Sequence, residues 1–529
     1  MKRLHYGTLA ALAFSVAIAL AAHPAFAGRT VLCLDGTWQI AEGSMDEMPR
    51  EFQHTVRVPG LVDTARPVFK EVGTEAGNKH REVFWYRRTF RLNEPVPAVA
   101  QLKIHKAKFG TRVYLNGKLV GDHVPCFTPA IMDVKELLKG PGEENEVVAR
   151  VGAFRTSVPR SVPDGWDFEK VRYLPGIYDS VELIQCGSPQ VVRVQTVPDL
   201  QKKSVRVVAT LRSGKDVAGA QVKCRVSEVA GGRVVGEAAS GPVRLEGGRE
   251  TPVELTVPID GCRPWSPEVP FLYKLETTTG ADTLPVRFGM RTFRFDPKTK
   301  MAVLNGRPYP MRGTNVCIYR FFEDPQRGDR PWREEWVRRL HRLLKSMGWN
   351  SARYCIGFPP EKWYDVADEQ GMLIQDEFPI WFLGNWPKEL KSDQIVKEFT
   401  QWVQERWNHP CVVVWDAQNE SRTAETGKAI SAVRRLDLSG RPWDNGWSPP
   451  AAPGDVFEAP PSPFYSAKGS GKATHFRLSG FAKAPGAPGV PGGLGGNVFL
   501  NTAGNPVIIN EYGWLWLNRD GSPTTLTKK

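Results

Sequence analysis

The stretch Trp407–Glu420 reads WNHPCVVVWDAQNE. Its middle, Cys411–Trp415, is an apolar run bounded by Pro410 and Asp416. It is too short for a helix and lacks the polar alternation of a half-exposed strand, so it predicts a strand buried on both faces. Such strands belong to parallel sheets covered by helices, and in a parallel barrel the chemistry sits at the C-terminal strand ends. Here that end delivers Asn419 and Glu420. PVIINEYG, at Pro506–Gly513, repeats the pattern, with a strand at Val507–Ile509 and Glu511 just beyond it.

Working outward, residues 296–506 alternate between strand and helix signals. Candidate strands are Tyr309–Asn315, Asn350–Cys355, Met372–Gln375, Cys411–Trp415, Arg441–Asn445 and Asp455–Ala459, with Val507–Ile509 the seventh. Trp336, Leu340, Leu343, Leu344 and Met347 recur at helical spacing as one apolar face, closed by Gly348. Pro360–Gln370 has Pro at its start and Gly371 at its end, so it reads as a helix. A helix capped by Ser392 runs to Trp407, and another spans Ala424–Leu436. This alternation means parallel strands with crossover helices. Residues 460–506, rich in Pro, Gly, Ala and Ser, break it and read as a long loop. The loop carries no Asp or Glu, so none lies between Glu458 and Glu511.

Ahead of this region the texture is β. Residues 28–187 hold short alternating strands, among them Phe84–Leu92, Ala100–Lys106, Thr111–Leu115, Glu146–Val151 and Tyr178–Ile184. Asn116-Gly117 predicts a two-residue hairpin turn. Residues 188–295 form a second β unit of sandwich size, including Val191–Val197, Ser204–Leu211, Gln221–Val226 and Pro252–Val257.

With 529 residues the chain is multidomain. Residues 1–27 combine Lys2-Arg3, an apolar run and Ala25-Phe26-Ala27, the pattern of a signal peptide cleaved before Gly28, which predicts a secreted or periplasmic protein. The net charge of +13 is spread along the chain rather than clustered, which argues against nucleic-acid binding and leaves an acidic glycan open. The eight cysteines contain no CxxC, so the spacing implies no zinc site and dictates no disulfide. No metal ligand is assigned and whether an ion binds is left open; no cofactor and, after cleavage of the signal, no membrane partner is expected.

The whole string WNHP-CVVVW-xxxNE, followed 91 residues later by the Glu of NEYG, resembles glycoside hydrolase family 2, which comprises β-galactosidases, β-glucuronidases and β-mannosidases. WYRRTF, VYLNGKLVGDH, FTPAIMDV and LPGIYDSVEL are similar to the family's N-terminal jelly-roll domain. Trp265-Ser266-Pro267 and Arg287–Arg291 resemble its immunoglobulin-like domain. The resemblance implies a jelly-roll at 28–187, an immunoglobulin-like β-sandwich at 188–295 and a (β/α)8 TIM barrel at 296–529. It implies that Glu420 is the acid/base and Glu511 the nucleophile of a retaining exo-β-glycosidase. Arg353 matches the arginine that holds the nucleophile ionised. Asn419 either contacts the sugar 2-hydroxyl or caps the next helix. Tyr512, Trp381 and Trp514 either stack on sugar faces or pack.

Three departures qualify the resemblance. Ile356 stands where the family commonly has His. Pro460-Pro461-Ser462 stands where it often has His and Tyr. The chain stops 18 residues after Glu511, short of a complete barrel. The first expectation is therefore a hydrolase of terminal β-glycosides, β-galactosides before β-glucuronides or β-mannosides. The alternative is a non-catalytic glycan-binding protein or a truncated, inactive relative. Under either reading the strand count predicts a barrel that is open, with seven strands.

Overall fold

A computed structural model describes residues 28–459 and 504–511. The alternating strands of residues 28–187 assemble into two antiparallel sheets. One has the order Thr30–Cys33, Val181–Cys186, Val99–Ile104 and Ala130–Asp133. The other runs His54–Val58, Gly36–Gly43, Val83–Arg91, Glu144–Gly152, Thr111–Leu115 and Lys118–His123. Asn116 and Gly117 turn the last hairpin at φ 51° and 77°, the doubly left-handed geometry that the Asn-Gly pair favours. The second β unit packs a sheet of Gln190–Asp199, Ser204–Arg212 and Glu250–Pro258 with one containing Lys223–Glu228 and Tyr273–Thr278. Its core is its own. The first unit's apolar core, by contrast, runs without a break into the region after residue 296.

Among its described residues that region contains, after the short antiparallel pair Ala302–Leu304 and Arg307–Pro308, seven further strands close to the places the sequence marks. They are β1 (Gly313–Cys317), β2 (Ser351–Cys355), β3 (Leu373–Glu377), β4 (Val412–Asp416), β5 (Trp443–Asp444), β6 (Phe457–Ala459) and β7 (Val507–Ile509). β1 to β5 pair in chain order, all parallel. A parallel bridge from Asp444 to Val456 continues the order to β6, which pairs in parallel with β7. Every residue of β2, β3 and β4 is buried, as the apolar run of β4 predicts. β7, expected from the same pattern to be a buried strand, is only partly buried along its length. The longer intervening helices are α1 (Glu334–Ser346), α2 (Lys362–Gln370), α3 (Ser392–Arg406) and α4 (Ala424–Val433), and a short helix, Ile318–Glu323, follows β1 directly. Among the described residues no helix is long and apolar enough to cross a membrane.

Three expectations need correction. β1 begins at Gly313, not Tyr309: Pro308 and Pro310 have no N–H to give a ladder, the Tyr309 N–H donates to the Ala302 carbonyl, and the Arg312 N–H donates to the Asn350 side chain. The buried face of α1 is Val337, His341 and Leu344, while Leu343 and Met347 are about half exposed. The periodicity count passed over His341 as polar. It is satisfied in place, with Nδ1 on the Val337 carbonyl and Nε2 2.5 Å from the Tyr354 hydroxyl. Ser392 does not cap α3. It is the first helical residue, and its N–H donates to Glu425 instead.

The WNHP segment explains how β4 is aimed. Trp407 Nε1 and Asn408 Nδ2 both donate to the Val194 carbonyl of the second β unit, and the Asn408 side-chain oxygen accepts from the Thr196 N–H. His409 and the Cys411 N–H share the two oxygens of buried Asp368, at 2.6 and 2.9 Å. The foot of the strand is thus fixed from two sides, and Asn419 and Glu420 emerge at its other end.

Candidate active site

Glu420 and Glu511 lie near enough to feel each other's charge. The negative charge of Glu511 acts on Glu420 directly, and Arg353 acts on both. Arg353, in the middle of β2, is 4% exposed. Its Nε donates to Asp416 Oδ2 at 2.8 Å and its Nη2 to Asn419 Oδ1 at 3.0 Å. Nη2 also lies 2.5 Å from Glu377 Oε2, and Nη1 lies 3.5 Å from Glu511 Oε1. One guanidinium therefore ties the ends of β2, β3, β4 and β7 together. Its planar fork suits that task better than a lysine ammonium would.

The carboxyls differ in their surroundings. Burial, and next the charge of Glu511, push Glu420 up to about 7, against weaker pulls from Arg353 and Trp381. Burial also raises Glu511, but Arg353 is the strongest influence opposing it. Beneath the pair lies a layer of buried acids from successive strands: Glu377, Asp416, Asp444 and Glu458. Burial raises all four, Asp444 to about 8, and Arg353 is the cation among them. Asn510 Nδ2 and Gln375 Nε2 each donate to Asp444, which links β7 to the centre of the sheet.

Three residues with positive φ lie beyond the C-terminal ends of barrel strands. Ile356, Leu383 and Glu420 follow β2, β3 and β4 at φ 57°, 52° and 37°, a region that non-glycine residues rarely occupy. Each is held by its surroundings. The Ile356 N–H donates to Glu377, the Arg422 N–H to the Leu383 carbonyl, and the Asn419 N–H to the Ile380 carbonyl. Ser421 Oγ clamps the Glu420 turn by donating to the Asn419 carbonyl and accepting from the Phe382 N–H.

Among the sequence-predicted site residues, the structure brings together Glu420, Glu511, Arg353, Asn419 and Trp381. Asn419 does not cap the next helix. Thr423 does so through its side chain, leaving Asn419 bound to Arg353. Trp381 is buried, and its indole nitrogen has no partner at ordinary hydrogen-bond distance. Its N–H is nevertheless close enough to the Glu420 carboxyl to favour the ionised form. Tyr512 and Trp514 lie outside the described residues, as does most of the loop at 460–506.

Sequence reasoning missed a contribution from the first β unit. Its loop Pro163–Lys170, PDGWDFEK, reaches the pocket. Trp166 stacks on Phe382 with centroids 5.8 Å apart, and Phe168 meets Trp381 edge-on at 4.7 Å. Glu169 pairs with Arg320, and its charge raises both Glu420 and Glu511. The usable signal was two aromatics beside a Pro-Asp-Gly turn, apolar groups that a surface loop has no reason of its own to carry.

The fold and this pair of carboxyls define a family-2 type of barrel, and comparison with known proteins agrees. Residues 297–443 match the family described as glycosyl hydrolases family 2, TIM barrel domain, and residues 190–291 match glycosyl hydrolases family 2. The chain belongs to glycoside hydrolase family 2. It is 26% identical over 355 residues to a β-galactosidase of Thermoanaerobacter pseudethanolicus, an alignment covering 65% of this chain and 45% of the relative. It is 27% identical over 396 residues to β-galactosidase BgaC of Bifidobacterium adolescentis, covering 66% and 36%. A putative β-glucuronidase of Formosa agariphila is 25% identical over 386 residues, covering 69% and 34%. The chain thus spans less than half the length of these relatives. In fold it is similar to the β-glucuronidase of Ruminococcus gnavus, with a TM-score of 0.61, 22% identity and coverage of 82% of this chain and 73% of that one.

Proposed function

We propose that this protein is a retaining β-glycosidase, with Glu420 as acid/base and Glu511 as nucleophile. The observation that carries the reading is the unequal pair of carboxyls at the ends of β4 and β7. Glu420 holds its proton to about pH 7, while Glu511 faces Arg353 at 3.5 Å. Glu420 protonates the glycosidic oxygen as the bond breaks. Glu511 attacks the anomeric carbon to give a covalent intermediate. Glu420, now ionised, then deprotonates the water that releases the sugar. Asn419, fixed by Arg353, offers its amide N–H to the sugar. The unpartnered Trp381 N–H offers a second donor.

The substrate is proposed to be a terminal β-galactoside, supported by the β-galactosidases among the relatives. A β-glucuronide is the second reading, supported by a similar putative β-glucuronidase. The first β unit, read as a jelly-roll, frames the pocket through Trp166, Phe168 and Glu169. We read residues 1–27 as an export signal, which N-terminal sequencing of the mature protein would test.

A panel of nitrophenyl β-glycosides tests the activity, and NMR of the first-formed anomer tests retention. Glu511→Gln should abolish turnover of every substrate. Glu420→Ala should spare the glycosylation step for activated aryl glycosides, whose leaving groups need little protonation. No turnover of any sugar, with binding intact, would instead favour a glycan-binding role.

A further inference from the structure

Cys317 and Cys355 sit at the last positions of β1 and β2, directly paired in the parallel register. Their sulfurs are 3.5 Å apart, with the Cys355 thiol donating to Cys317 Sγ. All eight cysteines are free, and this is the pair whose sulfurs the structure brings into contact. Cys317 is partly exposed and Cys355 is buried, so the two differ in access. The surroundings also favour negative charge on Cys317, through the Cys355 hydrogen bond first and then Arg320 and Arg353, while Cys355 is driven the other way.

We propose that Cys317 and Cys355 form a dithiol modification site that small-molecule disulfides oxidise to an intramolecular disulfide at the barrel mouth. Neighbouring strands lie about 4.8 Å apart, within the Cα separation of roughly 4.4–6.8 Å that a disulfide spans. The sulfurs need to close by about 1.5 Å to reach the bonding distance of about 2.05 Å. The chemistry is thiol–disulfide exchange. The Cys317 thiolate attacks one sulfur of the donor, whose S–S bond breaks and whose first thiolate leaves. Cys355 then attacks Cys317 Sγ, passing its proton to the second departing thiolate. Two electrons and two protons move from the protein thiols to the donor, which ends as two thiols.

The site is coupled to the pocket by the chain itself. Cys355 lies two residues beyond Arg353, and Cys317 leads into the helix Ile318–Glu323, which carries Arg320. Drawing the ends of β1 and β2 together displaces both arginines relative to Glu511 and Glu169. This consequence for turnover rests on the glycosidase reading; the thiol chemistry does not.

The test treats full-length protein, and a Cys33→Ser variant lacking the exposed thiol, with oxidised glutathione. The expected product is lighter by about 2 Da per chain, as loss of two hydrogens requires. Trypsin should join peptide 313–320 to peptide 354–362. Cys355→Ser should instead retain glutathione on Cys317, since nothing is left to resolve the mixed disulfide. An unchanged mass, or a lasting glutathione adduct on the unmutated pair, overturns the proposal. If Cys355→Ser fails to fold, the peptide map of the Cys33→Ser protein decides alone. Turnover should fall at least about five-fold on oxidation and recover with dithiothreitol. A disulfide that forms without changing turnover overturns the coupling to the pocket and leaves the site standing.

Discussion

Arg353 Nη1 lies 3.5 Å from Glu511 Oε1 while Nε of the same guanidinium donates to Asp416 at 2.8 Å. A single buried cation thus serves both the surface acid of the pocket and the acids beneath it. Removing the charge leaves buried carboxylates without a counter-ion, at a cost of about 3–5 kcal/mol. Arg353→Lys keeps the charge but cannot reach four partners. It should fold with a modest loss of Tm, yet lower kcat by at least about 100-fold if Glu511 is the nucleophile proposed, because the carboxylate is then misplaced. Paired melting and kinetic measurements check this. Near-normal kcat in Arg353→Lys would show that only charge is needed there.

The Glu511 carboxylate is the second-largest influence raising Glu420, after burial. If Glu420 is the general acid, as proposed, activity should be lost as pH rises through about 7. In Glu511→Gln that repulsion is gone, and the Glu420 pKa should fall. Carbon NMR titration of labelled glutamate in both proteins measures the shift without needing turnover. A Glu420 pKa unchanged in the variant would mean that the two carboxyls do not share a pocket.

The barrel was legible because β4 and β7 carry apolar runs, helical and strand signals alternate around them, and Glu420 and Glu511 lie just beyond the ends of those two strands. Hydrophobic period and spacing are local quantities. The role of His341 was not legible, because a buried imidazole is admitted by specific partners, the Val337 carbonyl and the Tyr354 hydroxyl, and no periodicity records them. The contribution of Glu169 was hidden for a related reason. It comes from a loop more than two hundred residues upstream of Glu420, and only tertiary packing brings it to the pocket.

Gly165 allows that loop to approach. Its φ is +70°, and a Cβ there would stand 2.8 Å from the Tyr319 hydroxyl and 3.0 Å from Phe127. Gly165→Ala must therefore shift Trp166, Phe168 and Glu169. Because the loop is peripheral to the core strands, Tm should fall by only a few degrees, for a cost of roughly 1–3 kcal/mol. KM should rise several-fold with kcat changed less, as loss of binding shared by ground and transition states predicts. Unaltered KM would remove the loop from the substrate site.

The last prediction concerns stability rather than chemistry. Glu398, in α3, is fully buried, and its Oε1 accepts from Gln394 at 2.8 Å while Oε2 has no partner. Burial pushes it up to about 8. At low pH the group is protonated in both folded and unfolded chains and costs nothing. As pH rises from the ordinary glutamate range toward 8, the unfolded chain ionises while the folded one must hold its proton, so stability falls. Above 8 the penalty is constant, on the order of 5 kcal/mol at about 1.4 kcal/mol per pKa unit. Glu398→Gln keeps the acceptor for Gln394 and cannot ionise. Its Tm should match the parent near pH 4.5 and exceed it by several degrees at pH 9. A Tm difference that stays the same at both pH values would show that Glu398 is not titrating inside the fold.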